Sequence, residues 1–99
     1  MQESQAQLIS RLDAERVKLR DFHTIQEQRR DDLVLHIDSV IRQLWRERRD
    51  VRAGFQFAGR DIDNAVAFLL EAGDRLNEAF DEIAYTEMQI ADMEAEVAA

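Results

Sequence analysis

No proline occurs in the 99 residues, and only three positions are glycine, at Gly54, Gly59 and Gly73. These two residue types are the strongest helix breakers, so almost nothing in the chain interrupts helix formation. Two of the glycines stand close together in the short segment GFQFAG, near the middle of the chain. The sequence therefore predicts an all-α fold of two long helices joined by one corner at about residues 53–60.

The first helix is predicted over about residues 3–52. On a helical wheel, nine apolar side chains of this segment fall within one stripe: Leu8, Leu12, Leu19, Phe22, Leu33, Ile37, Val40, Leu44 and Val51. Seven consecutive polar residues, 26–32, interrupt the apolar pattern, but the stripe keeps its phase on both sides of them. We therefore favour one continuous helix, with a break near Arg29 as the alternative.

The second helix is predicted over about residues 61–97 and shows a regular seven-residue repeat. Asp61 offers a side-chain oxygen suited to the N-cap position of this helix. The repeat places large apolar residues and small alanines alternately along one seam: Ile62, Ala65, Leu69, Ala72, Leu76, Ala79, Ile83 and Ile90. Because small side chains let a neighbouring helix approach closely, we predict that this seam packs helices together, within the chain or across a dimer.

The predicted helix lengths carry an expectation about assembly. At about 1.5 Å per residue the two helices would be roughly 75 Å and 55 Å long, which predicts an elongated antiparallel helical hairpin over residues 1–99 as a single domain. The second helix also holds Phe68, Leu70, Phe80 and Tyr85 outside its main seam. Since these side chains need cover too, we predict that the hairpin dimerises into a four-helix bundle.

Charge is unevenly distributed along the chain, whose net charge is −8. Residues 1–60 hold twelve basic and ten acidic side chains, whereas residues 61–99 hold one arginine and eleven acidic side chains. Arg42, Arg46 and Arg49 lie together on the wheel, roughly opposite the apolar stripe, and are predicted to be exposed. An arginine row can bind phosphate, but an acidic chain repels nucleic acid, so we do not expect direct nucleic-acid binding.

Catalytic and metal-binding patterns are missing from the sequence. The two histidines, His23 and His36, point to different sides of one helix, and neither follows a glutamate at the spacing used in di-iron bundles. With no cysteine there is no thiolate chemistry. We predict no enzyme activity, no metal, no cofactor and no small-molecule ligand. The sequence contains neither a membrane-spanning run nor a secretory signal, so a cytoplasmic location is expected.

In outline the chain resembles the WXG100 class of small secreted bacterial proteins, which are acidic, cysteine-free chains of about a hundred residues with two helices and a glycine-containing corner. That class carries Trp-x-Gly at the turn, whereas Trp45 is followed here by Arg46 and Glu47. The Tyr-x-x-x-Asp/Glu signal of the class is also missing, since Gln89 stands four residues after Tyr85. The resemblance covers the architecture and implies, as one alternative, a secreted helical hairpin.

The corner contains two aromatic side chains, Phe55 and Phe57, which either plug the end of the bundle or act as exposed anchors for a partner. Aromatic residues and arginine dominate the energetics of protein interfaces. The predicted partner-binding residues are therefore Trp45, Phe55, Phe57, Arg42, Arg46 and Arg49.

The leading prediction is a small homodimeric protein–protein interaction module of bacterial or phage origin, such as an adaptor, chaperone, inhibitor or assembly factor, whose partner is another protein. Besides the secreted hairpin, the alternative is a nucleic-acid-linked regulator that uses the arginine face, or that imitates DNA with its acidic second helix.

Overall fold

The computed structural model describes residues 3–99 and contains two α-helices, α1 (Gln5–Arg52) and α2 (Gly59–Ala98). No strand occurs in this described part of the chain. The predicted all-α fold, an antiparallel hairpin of two long helices, is confirmed. Helix α1 runs without interruption through Arg29, so the polar segment at residues 26–32 is part of one helix.

Both ends of α1 are closed by local hydrogen bonds. At the N-terminus, the backbone N–H of Gln7 donates to Ser4 Oγ at 3.1 Å and the N–H of Ser4 donates to Gln7 Oε1 at 3.0 Å, a reciprocal capping box. At the C-terminus, Gly54 has φ of 93°, and the N–H of Phe55 donates to the carbonyl of Asp50 at 2.9 Å. Gly54 thus closes the helix in a left-handed conformation.

Helix α2 begins two residues earlier than the sequence predicts, which shortens the corner to residues 53–58. Asp61 consequently lies within the first turn of α2 instead of at its N-cap. A different carboxylate acts at this helix end, because Glu47 Oε2 accepts a hydrogen bond of 2.9 Å from the backbone N–H of Ala58. Glu47 belongs to α1 and is only 8% exposed, so it ties the start of α2 to the last turns of α1.

The chain divides into two compact units. The terminal unit consists of the chain up to Glu27 together with Glu78–Ala99, and the corner unit consists of Gln28–Asn77.

The terminal unit has an apolar core. Leu8 and Leu12 of α1 are buried in one cluster with Ile90 and Met93 of α2, and Leu19 and Val97 pack against that cluster. At the periphery of this core, Arg16 Nη2 lies 3.3 Å from Glu94 Oε1. The two helix segments of the terminal unit are therefore joined mainly by burial of aliphatic side chains.

The corner unit is joined in a different way. Its only two buried residues are Ala72 and Glu47. Arg29 Nη1 donates to the backbone carbonyl of Arg75 at 2.8 Å, and the ring of His36 stacks on that of Phe68 with centroids 6.5 Å apart. In this unit polar side chains of α1 take part in the contacts with α2, together with the half-buried Leu33 and Val40.

Candidate protein-interaction surface

The predicted seam of α2 lies on the covered face of that helix. Four of its residues are buried and four are half-buried: Ala72, Ala79, Ile83 and Ile90, then Ile62, Ala65, Leu69 and Leu76. None of them is exposed. Because this seam is already covered by the chain's own first helix, a second molecule has to bind through other side chains.

The covered face of α1 changes character along the helix. Buried and half-buried positions recur every three or four residues, and in the terminal unit four of them are Leu8, Leu12, Leu19 and Phe22. In the corner unit the same repeat continues mostly through polar side chains: Arg29, His36, Gln43, Glu47 and Asp50, with Leu33 and Val40 as the apolar members. The polar seam leaves the remaining apolar residues of this part of α1 uncovered.

Those uncovered residues form what we call the exposed stripe: Val34, Ile37, Ile41, Leu44 and Val51. Each of these five residues directly follows a covered residue of α1, as Ile37 follows His36, so the stripe has the same spacing as the covered row. Each is 40% to 49% exposed.

The sequence predicts that Ile37, Leu44 and Val51 lie in the same covered stripe as Leu8 and Leu12. This prediction is wrong, because Ile37, Leu44 and Val51 are exposed. A straight helical wheel drifts by about 20° per heptad from a seam that repeats every 3.5 residues. Over six heptads, residues that stay in phase on the wheel turn away from the neighbouring helix.

Trp45 extends the exposed stripe sideways. Its side chain is 61% exposed, and the guanidinium carbon of Arg48 lies 5.2 Å from the centre of its ring, within the range of a cation–π contact. Ile41, Leu44, Trp45 and Arg48 together line a shallow groove. This groove offers a large aromatic surface beside a fixed positive charge.

A second groove continues from the stripe to the corner. Its apolar lining comes from Leu44, Val51, Phe57 and Ile62, and its polar edge includes Arg48 and Arg52.

Of the two orientations that the sequence left open for the corner phenylalanines, the structure has the exposed one: Phe55 is 69% and Phe57 is 64% exposed. The ring of Phe57 lies over Gly59, where a Cβ atom would come within 3.1 Å of Phe57 Cε1. Glycine at this position therefore leaves room for the ring.

The arginine row is exposed, as the helical wheel predicts. Arg49 Nε lies 3.3 Å from Asp50 Oδ1, whereas Arg42 and Arg46 have no carboxylate within ion-pair distance among residues 3–99. Arg42, Trp45 and Arg49 are spaced by three and four residues, so the row borders Trp45 on the side away from α2. Its charge is available to a partner.

Sequence reasoning missed several residues of this surface. Val34, Ile41 and Arg48 were not singled out, and neither was the role of Glu47 at the corner. The signal that points to them is the polar repeat through His36, Gln43 and Asp50, with an apolar residue following at Ile37, Leu44 and Val51. A heptad count, instead of a straight wheel, separates these two rows.

The described residues offer no arrangement for metal chemistry, since no three His, Asp or Glu side chains among residues 3–99 are placed to hold an ion. Neither helix has, within the part of the chain that the structure describes, a segment long and apolar enough to cross a membrane. What the corner unit does present is apolar side chains, an exposed tryptophan and arginines. This is the composition typical of a protein-docking surface.

No protein-family model, curated protein or solved structure matches this chain. A function is therefore inferred from the surface of the corner unit.

Proposed function

We propose that this chain is a small non-enzymatic protein–protein interaction module, a homodimer that presents its corner unit to another protein. An adaptor, chaperone, inhibitor or assembly factor acts in this way. One observation supports the proposal above all. Of the sixteen large hydrophobic side chains that are exposed among residues 3–99, eleven belong to the corner unit.

The energetic argument rests on the size and composition of that surface. Removing apolar surface from water contributes about 25 cal/mol per Å², so docking on several half-exposed side chains at once is strongly favourable. Contiguous apolar patches on soluble chains commonly mark binding sites. Trp45, Phe55 and Phe57 are the kind of large aromatic anchor on which binding energy concentrates, and Arg48 is already held beside one of them.

Charge also favours the corner unit as the docking end. Residues 28–77 contain nine basic and nine acidic side chains and so carry no net charge. The remaining residues contain four basic and twelve acidic side chains, which gives the terminal unit the whole net charge of −8. A unit without net charge does not repel a partner of either sign at long range, whereas the terminal unit repels other acidic proteins.

Capture from a lysate with matched variants tests the docking surface. Phe55 in the corner unit and Val17 in the terminal unit are 69% and 51% exposed, so an aspartate at either position perturbs the fold only to a small extent. A protein that binds the wild-type chain should be lost with Phe55→Asp and retained with Val17→Asp. The reverse pattern would place the interaction on the terminal unit and contradict the proposal.

Sedimentation velocity tests the homodimer. At micromolar concentration the chain should sediment with about twice its monomer mass of 11.5 kDa. A chain that remains monomeric up to about 100 μM would contradict this part of the proposal, because a dimer with a Kd below that concentration would have been detected.

A nucleic-acid-linked role is the second candidate, and the observation that favours it is the charge of Arg42 and Arg46, which no carboxylate among residues 3–99 neutralises. Direct binding would weaken steeply as salt rises, because bound arginines release condensed counterions. A fluorescently labelled DNA duplex titrated at low salt checks this. Absence of binding at low salt would eliminate the direct version of this candidate.

A further inference from the structure

A second exposed apolar row lies on α2, within the terminal unit. Its members follow helical spacing and none belongs to the α2 seam: Phe80, Ala84, Met88, Ala91 and Ala95. Phe80 and Met88 are 52% and 55% exposed. All seven charged residues of Glu78–Ala99 are acidic, so we call this row the acidic stripe.

The exposed stripe and the acidic stripe are complementary in charge. Residues 41–60, which hold most of the exposed stripe and the corner, contain six arginines against Glu47 and Asp50, a net charge of +4. Glu78–Ala99 carries −7. Opposite potentials across an interface speed association and select the partner.

The two stripes also match in length and in side-chain size. From Val34 to Val51 the exposed stripe extends over roughly 26 Å, and from Phe80 to Ala95 the acidic stripe extends over roughly 22 Å. The exposed stripe is bulky, with Trp45 beside it, while three of the five acidic-stripe residues are alanine. Large side chains facing small ones interdigitate at native packing density.

We infer that the exposed stripe of one copy docks on the acidic stripe of a second copy, and that the second copy's exposed stripe docks on the first in the same way. The inference rests on the homodimer of the proposed function and specifies which faces form it. A twofold dimer uses the same patches on both subunits, so both contacts are equivalent. The α2 seam remains inside each chain, while Phe55, Phe57 and the arginine row lie outside the stripe and stay available to another protein.

Other pairings of two copies are electrostatically worse. Joining the exposed stripes to each other brings two segments of +4 together, and joining the acidic stripes brings two segments of −7 together. Like charges across an interface suppress association. Only the mixed pairing places arginines opposite carboxylates at both contacts.

A reciprocal charge swap tests the inference. One variant carries Arg48→Glu and Arg52→Glu beside the exposed stripe, and the other carries Asp81→Lys and Glu87→Lys beside the acidic stripe; all four side chains are exposed. Each variant alone should self-associate about tenfold or more weakly than wild type, since at both contacts the substituted side chains then face side chains of like charge. Their equimolar mixture should form a heterodimer within about threefold of wild-type affinity, because in the mixture these side chains again face opposite charges at both contacts.

Nonspecific repulsion between two acidic chains predicts a different result for these variants, so the charge swap distinguishes it from the stripe pairing. The Asp81→Lys, Glu87→Lys variant has a net charge of −4 instead of −8, so nonspecific repulsion would let it self-associate more tightly than wild type. That outcome, or a mixture that stays monomeric while wild type dimerises, overturns the stripe pairing and leaves the homodimer standing. A wild-type chain that remains monomeric at about 100 μM would overturn both the stripe pairing and the homodimer. The two stripes would then be assigned to contacts with other proteins. Far-UV circular dichroism should show wild-type helix content in both variants.

Cysteine cross-linking tests the same pairing without changing charge, since the chain contains no cysteine. Copies with Leu44→Cys are oxidised together with copies that carry Ala84→Cys, Met88→Cys or Ala91→Cys. At least one of these mixtures should give a covalent dimer, in at least about fivefold greater yield than Leu44→Cys alone, because mixed pairing puts the two thiols within disulfide reach. Cross-links of Leu44→Cys only to itself would overturn the inference.

Discussion

The terminal unit and the corner unit are made from the same two helices but differ in what α1 places against α2. In the terminal unit Leu8 and Leu12 are buried against Ile90 and Met93. In the corner unit the equivalent contacts come from Arg29, His36 and Glu47.

The comparison shows how one continuous helix can contribute to the core in one half and present exposed apolar side chains in the other. This difference requires only that the apolar residues of α1 shift by one position, from the row that faces α2 to the neighbouring row. Polar seam residues such as Glu47 still fix how the segments meet, although they stabilise the pair less than aliphatic burial does. We expect the terminal unit to hold the fold and the corner unit to bind.

The largest expected effect contrasts a leucine from each unit. Leu12→Ala should lower the free energy of unfolding by about 2–4 kcal/mol, because Leu12 is 4% exposed and the change leaves a cavity. Leu44→Ala should lower it by about 0.5 kcal/mol or less, since that side chain is 48% exposed. Urea unfolding at submicromolar concentration, where self-association contributes least, measures both; equal losses would remove the distinction between the units.

The next effect concerns the buried carboxylate of the corner unit. Glu47→Ala removes the acceptor of the Ala58 N–H and should lower the free energy of unfolding by about 1–2 kcal/mol. Glu47→Gln keeps a carbonyl oxygen at this place and should lose less than half as much. Amide exchange at Ala58 should accelerate with the alanine variant only; unchanged exchange there would show that Glu47 does not hold the start of α2.

A stabilising substitution is expected within the corner unit. Gly73→Ala should raise the free energy of unfolding by about 0.5–1 kcal/mol, because glycine is unfavourable inside a helix and a Cβ there meets no atom within 4 Å. Gly54→Ala is the matched control and should destabilise, since Gly54 has a left-handed backbone. Thermal unfolding checks both, and a loss of stability with Gly73→Ala would indicate that Gly73 is packed against something else.

The smallest expected effect lies in the terminal unit, in the ion pair of Arg16 with Glu94. The atoms are 3.3 Å apart, and both side chains are about half exposed. A double-mutant cycle with alanine at the two positions should give a coupling energy of about 0.2–0.5 kcal/mol. A coupling above about 1 kcal/mol would mean that ion pairs share with the apolar core the task of joining these segments.

Much of the fold could be predicted from local chemistry. The absence of proline and the placement of Gly54 define two helices and one C-terminal cap, and the structure has both. The α2 repeat through Leu69, Leu76 and Ile83 predicts a covered face, because residues seven apart stay on one side of a helix that packs against another. These features depend on residues that are close together in the chain and can therefore be predicted from the sequence.

The candidate site could not be fully predicted, because it depends on which neighbouring row of α1 faces α2. Val40 and Val51 are both apolar and lie about 20° apart on a wheel, yet Val40 is half-buried and Val51 is exposed. The start of α2 was also missed by two residues, since the carboxylate at that end is Glu47, eleven residues before Ala58 and not within α2 itself. Both features are set by tertiary contacts.

The core at the chain ends has a consequence for the order of folding. Leu8 and Leu12 lie in one cluster with Ile90 and Met93, so this apolar core forms only when segments up to 85 residues apart in sequence come together. Contacts this distant in sequence slow folding. During synthesis the leucines at positions 8 and 12 therefore remain uncovered until Ile90 and Met93 have been made.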